Sequence, residues 1–243
     1  MNQDQSLNND EWSVLDHIVE LRTKIFISLG SILLISIIAH IYNKEIIGYI
    51  LMPVGDQKLL FLSPLQPLFF ILKIDFLVGL LCSFPIIIFC IISYLRPLLA
   101  KSFSAGLYVF AFASIVLAFA GVAYAYFFTI PFSLNFLSSI VIAGIQNSVS
   151  AQSYLDFFIA QSAILVIIFQ IPIFVLAGIY LKLTSTKFLS SKRRYVYLIS
   201  TITLAVLTPT TDLFNLAIML VPTIFIFELS MVAGRIMEFF RKS

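Results

Sequence analysis

Long apolar runs limit what this chain can fold into more than any other feature. Six runs of mainly apolar residues alternate with polar or basic connectors, and the run at 106–130 contains no charged residue. About 20 such residues cross the ~30 Å of bilayer hydrocarbon as a helix. Hydrophobic residues make up 60% of the 243 positions and charged residues 11%, which would leave a soluble fold too little polar surface to face water. The sequence therefore predicts an all-α integral membrane protein.

Six transmembrane helices are predicted. A polar tail with a rim motif precedes them at 1–24, with a short surface helix around 12–20, and a basic tail follows at 234–243. The membrane domain is 25–233, and its spans are about 25–42, 68–95, 106–130, 155–180, 195–207 and 213–233. The stretches 45–67 and 132–154 are predicted as interfacial caps on the outer side.

Three prolines shape these spans. Proline lacks the N–H that a helix needs, so Pro85 is expected to kink the second span and Pro172 to interrupt the fourth. Pro131 is expected to close the third span.

The fifth run has only about 13 residues, too few to cross the membrane upright. Local thinning of the bilayer and a misplaced start of this helix are both open explanations.

The basic residues orient the six spans. With six spans both termini share one side, and that side collects twelve of the fifteen Lys and Arg residues. The other side holds Lys44, Lys58 and Lys73. By the positive-inside rule both termini face the cytoplasm or its organellar equivalent. The net charge of +3 is too small to indicate nucleic acid as a partner.

Residues for catalysis or for a cofactor are scarce. The two histidines, His17 and His40, do not form an intramembrane pair for haem or copper. No Gly-rich phosphate loop and no HExxH motif occurs. We therefore predict no enzyme activity, no catalytic residue, no metal and no cofactor.

The strongest local constellation lies before the first span, where 16–24 reads Asp-His-Ile-Val-Glu-Leu-Arg-Thr-Lys. Glu20 and Arg22 are two residues apart, so on a helix they point to different faces. A carboxylate free at the rim could bind a cationic partner. An acid that merely suits the start of a helix is the open alternative, with Arg22 and Lys24 as interface anchors.

This rim segment resembles the His-Leu-x-Glu-Leu-Arg signature of the TatC family, the receptor subunit of the twin-arginine protein translocase. Three further segments are similar to family patterns in the same order. They are SPLQPLFFILKIDFLVGLLCSFPIIIF from Ser63, GVAYAYFFTIPFSLNFL from Gly121, and TPTTDLFNLAIMLVPTIFIFELS from Thr208. The resemblance covers about residues 12–235.

The resemblance implies a function and partners. Members receive folded passengers whose signal peptide carries two adjacent arginines, and they recruit single-span subunits of the TatA/TatB type. Export is driven by the proton gradient, and a homo-oligomer within a larger complex is expected. The implied signal-peptide site consists of Glu20, Arg22, His17 and Leu21. The implied partner or intramembrane polar site consists of Gln170, Pro172, Asp212, Glu228 and Pro85.

Two positions depart from the family pattern. Phe103 stands where a second signal-binding glutamate is usual, which leaves Glu20 with more of the recognition. Gln170, before Pro172, replaces a glutamate and cannot ionise, although a polar residue at membrane depth favours a partner-contact role. Asp212 is expected to cap the sixth helix. Glu228 matches a family acid, with packing against Arg235 or snorkelling as the alternatives.

Other functions and locations remain open from sequence. A small-solute secondary transporter and a structural subunit of a respiratory complex also need several spans, but no repeat between the two halves supports the first, and the second does not explain the rim motif. The departures at Phe103 and Gln170 and the heavy use of Phe and Ile favour a mitochondrial inner membrane. A bacterial plasma membrane is the alternative.

Overall fold

The computed structural model describes residues 3–55, 59–95, 104–139, 149–208 and 213–242. These residues are helical apart from turns and one isolated bridge between extended residues, which confirms the predicted all-α class. The α-helices are α1 (Gln3–Ile41), α2 (Asn43–Leu51), α3 (Gln66–Leu95), α4 (Ser104–Tyr124), α5 (Ile130–Ser139), α6 (Ala151–Ile168), α7 (Ile171–Tyr180), α8 (Thr186–Ser191), α9 (Arg193–Leu207) and α10 (Leu213–Lys242).

Five helical stretches within the described residues are long and apolar enough to cross a membrane. They are His17–Ile41, Gln66–Tyr94, Gly106–Ser139, Ala151–Tyr180 and Leu213–Phe240. The predicted fifth span corresponds to α9, whose 15 residues extend about 22 Å at the helical rise. Its predicted shortness is confirmed, and the count of six spans stays a prediction.

The N-terminal helix differs from the expectation. The structure has no separate surface helix around 12–20, because α1 is continuous from Gln3 to Ile41. Neither glycine nor proline occurs before Gly30, so no residue in this stretch strongly opposes helix propagation.

The expectation that Pro131 closes the third span is wrong. A π-helical turn at Ala125–Thr129 joins α4 to α5, and the helical run continues to Ser139. In an ordinary α-helix the proline ring clashes with the carbonyl four residues earlier. The Ile130 N–H instead bonds the Ala125 carbonyl five residues back, and we assign the continuity past Pro131 to this wider turn.

The interruption of the fourth span is confirmed. α6 ends at Ile168, Phe169 and Gln170 form a turn, and Pro172 lies in the first turn of α7. A proline at a helix start removes no helical hydrogen bond. Pro85 lies inside α3, which stays helical to Leu95, and the kink there remains a prediction.

Internal contacts divide the chain into two units, 1–43 with 72–111, and 44–71 with 112–243. In the first unit, α1 and α3 line a common groove. In the second unit, α10 packs mainly against α7 and α9. There a Cβ added at Gly121 of α4 would lie 2.9 Å from the Leu165 carbonyl oxygen of α6, so this close approach requires glycine.

The two predicted caps both belong to the second unit. α2 and a 3₁₀ turn at Met52–Val54 occupy the first cap. The Leu60 N–H donates to the Val149 carbonyl at 3.2 Å, and the Ala151 N–H donates to the Leu60 carbonyl at 3.0 Å. These bonds tie the first cap to the start of α6, and the interfacial position of both caps stays a prediction.

Candidate functional site

The rim motif lies on α1 where the apolar part of that helix begins. His17 and Glu20 are half-buried, whereas Leu21 and Arg22 are exposed. Within the described residues, the Glu20 carboxylate has no hydrogen bond and no ion pair, and it does not pair with Arg22. No described residue therefore competes with an outside donor for this carboxylate.

An apolar groove adjoins this carboxylate. It has a volume of about 360 Å³, and Leu21, Ile25 and Lys24 line it from α1 while Ile87 and Ile91 line it from α3. Tyr94 of α3 also lines the groove, and its ring meets the His17 ring edge to face, with centroids 6.4 Å apart. The rim thus brings together the Glu20 carboxylate, the Lys24 ammonium group and an apolar surface.

The Gln170 amide is held by another helix of the second unit. The Ser114 hydroxyl donates to Gln170 Oε1, and Gln170 Nε2 donates to the Ser114 carbonyl at 3.2 Å. These two bonds join α4 to the break before α7, and they satisfy one donor and one acceptor of the amide at membrane depth.

Glu228 of α10 pairs with α9 and not with Arg235. Arg193 Nη2 lies 3.0 Å from Glu228 Oε2, and the Tyr197 hydroxyl donates to Glu228 Oε1. Arg235 instead makes a long contact of 3.5 Å to the Ser190 hydroxyl. The alternative of packing against Arg235 is therefore wrong, because the neighbouring helix supplies a nearer cation.

One polar contact between helices of the first unit was not indicated by the sequence. His40 Nδ1 of α1 and Asp75 Oδ2 of α3 are 2.7 Å apart, and Asp75 is only 5% exposed. Thirty-five positions separate the two residues, so a single sequence gives no local signal for the pair. An acid placed at membrane depth was the available hint.

The predicted site residue Asp212 lies outside the described residues, and so does Phe103, the position that departs from the family pattern. None of the contacts above joins one predicted site residue to another. Among the described residues, no group of three or more His, Cys, Asp or Glu side chains could hold a metal ion.

Comparison with known proteins identifies the family. The sequence profile of Sec-independent protein translocase protein (TatC) matches residues 16–222, which is most of the chain. The chain belongs to the TatC family. The Sec-independent protein translocase protein TatC of Synechocystis sp. is 32% identical over 209 residues, covering 86% of this chain and 82% of that protein. A tatC-like protein of Gracilaria tenuistipitata var. liui is 31% identical over 95% of this chain and 97% of its own length.

A solved structure shares the fold. The crystal structure of the twin-arginine translocase receptor TatC in DDM superposes with a TM-score of 0.78 and 26% identity. The match covers 90% of this chain and 99% of that one. The family resemblance and the multi-pass membrane class are therefore confirmed, and neither the solute transporter nor the respiratory subunit is supported.

Proposed function

We propose that this TatC family member is the receptor subunit of a twin-arginine translocase. It binds the twin-arginine signal peptides of folded passenger proteins and mediates their proton-gradient-driven export across the membrane. The match to the TatC profile and to a structure described as a twin-arginine translocase receptor supports this proposal. The single observation that carries it on this chain is the half-buried Glu20 carboxylate without a partner among the described residues.

The chemistry of the rim suits an arginine pair. A guanidinium fork binds a carboxylate through two parallel N–H···O bonds, and such charge-assisted bonds are about twice as strong as neutral ones. Because Glu20 does not bond Arg22, no internal ion pair has to break first. His17 and Leu21 flank the carboxylate along α1, and Arg22 lies beside it on a different face.

Equilibrium binding tests this proposal. Labelled twin-arginine and twin-lysine peptides are titrated into the full chain in nanodiscs, and fluorescence anisotropy is recorded. We expect the arginine peptide to bind more tightly, and Glu20→Gln to weaken it by on the order of tenfold. The matched control is Glu45→Gln, which neutralises an exposed glutamate of α2 and is expected to change nothing. Equal binding of both peptides to all three proteins would refute receptor function.

We propose that the break before α7 contacts single-span subunits of the TatA/TatB type. Support comes from the position of Gln170 and Pro172 at an interruption within a membrane helix, where polar groups are costly. Co-purification of such a subunit should fall for Gln170→Leu and persist for Ser114→Ala, which removes the hydroxyl donor to the amide and keeps the Ser114 carbonyl. Equal losses would show that Gln170 acts only inside the chain. The proposed partner or intramembrane polar site also includes Pro85, Asp212 and Glu228. We further propose contacts between copies of this chain in a homo-oligomer.

For the location, we retain the mitochondrial inner membrane as a proposal. This proposal rests on the departures from the family pattern at Phe103 and Gln170. The TatC relatives include a chloroplastic protein of Pisum sativum and bacterial proteins such as that of Haemophilus influenzae. A plastid membrane and a bacterial plasma membrane are the alternatives that these relatives support. Fractionation of the source cells with an antibody to the chain decides between them.

A further inference from the structure

We propose that the chain holds the phosphate of an anionic membrane lipid in a cavity between α8 and α10, which we call the basic groove. The basic groove has a volume of about 470 Å³ and is lined by Thr186, Lys187, Ser190, Ser191 and Arg235. It lies in the second unit, on the side to which the basic residues assign the cytoplasm or matrix.

The donors of the basic groove come from two facing helices. Lys187, Ser190 and Ser191 occupy positions i, i+3 and i+4 of α8, so they share one face of that helix. Arg235 reaches this face from α10, with its Nη2 atom 3.5 Å from the Ser190 hydroxyl oxygen. An ammonium, a guanidinium and a hydroxyl therefore border one cavity.

Contacts of Thr186 and a close approach at Gly234 fix these helices in place. Both Glu238 carboxylate oxygens bind Thr186, one through its backbone N–H at 3.0 Å and the other through its hydroxyl at 2.5 Å. A Cβ added at Gly234 would lie 2.6 Å from Ile179 Cδ1 and 3.0 Å from Thr186 Cγ2, which shows how closely α10 approaches α7 and α8. The groove is therefore preformed, which lowers the entropic cost of binding.

The positive charge of Lys187 and Arg235 favours an anion as the ligand of the groove. Neither Lys187 nor Arg235 has an ion pair within the described residues, and no carboxylate is among the described residues that line the cavity. The Glu238 carboxylate accepts two hydrogen bonds from Thr186 and lines the adjoining cavity, where it adds one negative charge near Lys187. The two cations of the groove outnumber this charge. Arginine and lysine together are the usual protein ligands of a phosphate group.

The surroundings favour a lipid over free phosphate. A second cavity of about 850 Å³ shares Lys187 with the groove, and Ile179, Leu183 and Phe188 form part of its wall. Leu183 and Phe188 are 79% and 57% exposed. The rest of the lining of the second cavity is polar, namely Lys182, Thr184, Ser185 and Glu238. Exposed apolar side chains next to a basic groove fit a phosphate attached to acyl chains, and basic pockets between membrane helices bind lipid headgroups elsewhere.

Native mass spectrometry of the full chain tests this site. The protein is purified from membranes in mild detergent, incubated with phosphatidylglycerol or phosphatidylcholine, and the bound lipid is counted. Lys187→Gln with Arg235→Gln should reduce retained phosphatidylglycerol by on the order of tenfold. The matched control is Lys192→Gln with Arg194→Gln, which removes the same charge from side chains that lie over the Tyr195 ring, and its loss should be several times smaller.

Three outcomes would overturn the proposal. Equal losses in the two double variants would mean diffuse attraction to the basic surface. Displacement of the lipid by millimolar inorganic phosphate would assign the groove to free phosphate. Equal retention of both lipids by the unaltered chain would show no preference for an anion. Should the groove double variant not fold, Lys187→Gln alone is compared with Lys192→Gln, and the larger loss is expected for the first.

Discussion

Two glutamates on the membrane helices of this chain have opposite surroundings. Glu228 of α10 is bound by Arg193 and Tyr197 of α9, with about a third of the Arg193 and Glu228 side chains exposed. Glu20 of α1 is half-buried too, but no described residue bonds it. The same side chain therefore joins two helices in one unit and stays available in the other.

The difference indicates where each carboxylate is used. A glutamate at a membrane boundary costs free energy unless it is paired, hydrated or bound to a partner. The chain supplies the pair for Glu228, so that glutamate contributes to the stability of the α9–α10 contact. No described residue pairs with Glu20, which agrees with a binding partner from outside.

The largest effect on stability is expected from Glu228→Gln. Removing this charge leaves Arg193 without its carboxylate, and the free energy of unfolding should fall by about 1–2 kcal/mol, since the pair is partly exposed. Thermal unfolding in detergent measures the loss. Unchanged stability would mean that the Arg193 pair is not formed in the membrane.

A smaller loss is expected from Tyr197→Phe, which removes one hydroxyl donor and keeps the ion pair. The expected destabilisation is about 1 kcal/mol, as for a single hydrogen bond to a charged group that retains other partners. A double-mutant cycle with Arg193→Met measures whether the two donors act as one network. Strict additivity would contradict the network.

Ser114→Ala probes an uncharged contact in the same unit. It removes the hydroxyl donor to Gln170 and leaves the Ser114 carbonyl, so about 0.6 kcal/mol of stability should be lost, typical of a hydrogen bond between membrane helices. The matched control is Ser153→Ala, which removes a hydroxyl at an exposed position of α6. Equal effects would show that the Gln170 contact contributes nothing.

The smallest stability change is expected from Glu20→Gln. Because Glu20 has no partner in the part of the chain that the structure describes, the free energy of unfolding should change by less than about 0.5 kcal/mol. The same unfolding assay as for Glu228→Gln makes the comparison direct. A destabilisation as large as that of Glu228→Gln would show that Glu20 has a structural partner.

The sequence predicted those features that depend on local chemistry. The predicted second span, 68–95, agrees closely with α3, because continuous hydrophobicity marks a membrane helix within one segment. The predicted break at Pro172 is present, because proline lacks the N–H of the helix at that same position. The continuation past Pro131 was not predictable, since the wide turn at Ala125–Thr129 leaves no mark in residue type.

Partners across helices were beyond one sequence. The sequence suggested Arg235 as the partner of Glu228, because it lies seven residues away on the same helix. The observed partner, Arg193, is 35 positions away in the chain. The His40–Asp75 pair was missed for the same reason. Glu20 could be singled out because its motif lies within nine consecutive residues, and its binding role stays a prediction.

Site-specific photocrosslinking at the rim tests the central claim most directly. A photoreactive residue replaces Thr23, which is exposed and three positions from Glu20, so the carboxylate itself is kept. Native-like membranes containing this protein are irradiated with a twin-arginine or a twin-lysine signal peptide. The account predicts a crosslink that prefers the arginine peptide and is lost in Glu20→Gln. A crosslink that is equally strong with both peptides, and unchanged by Glu20→Gln, would contradict it.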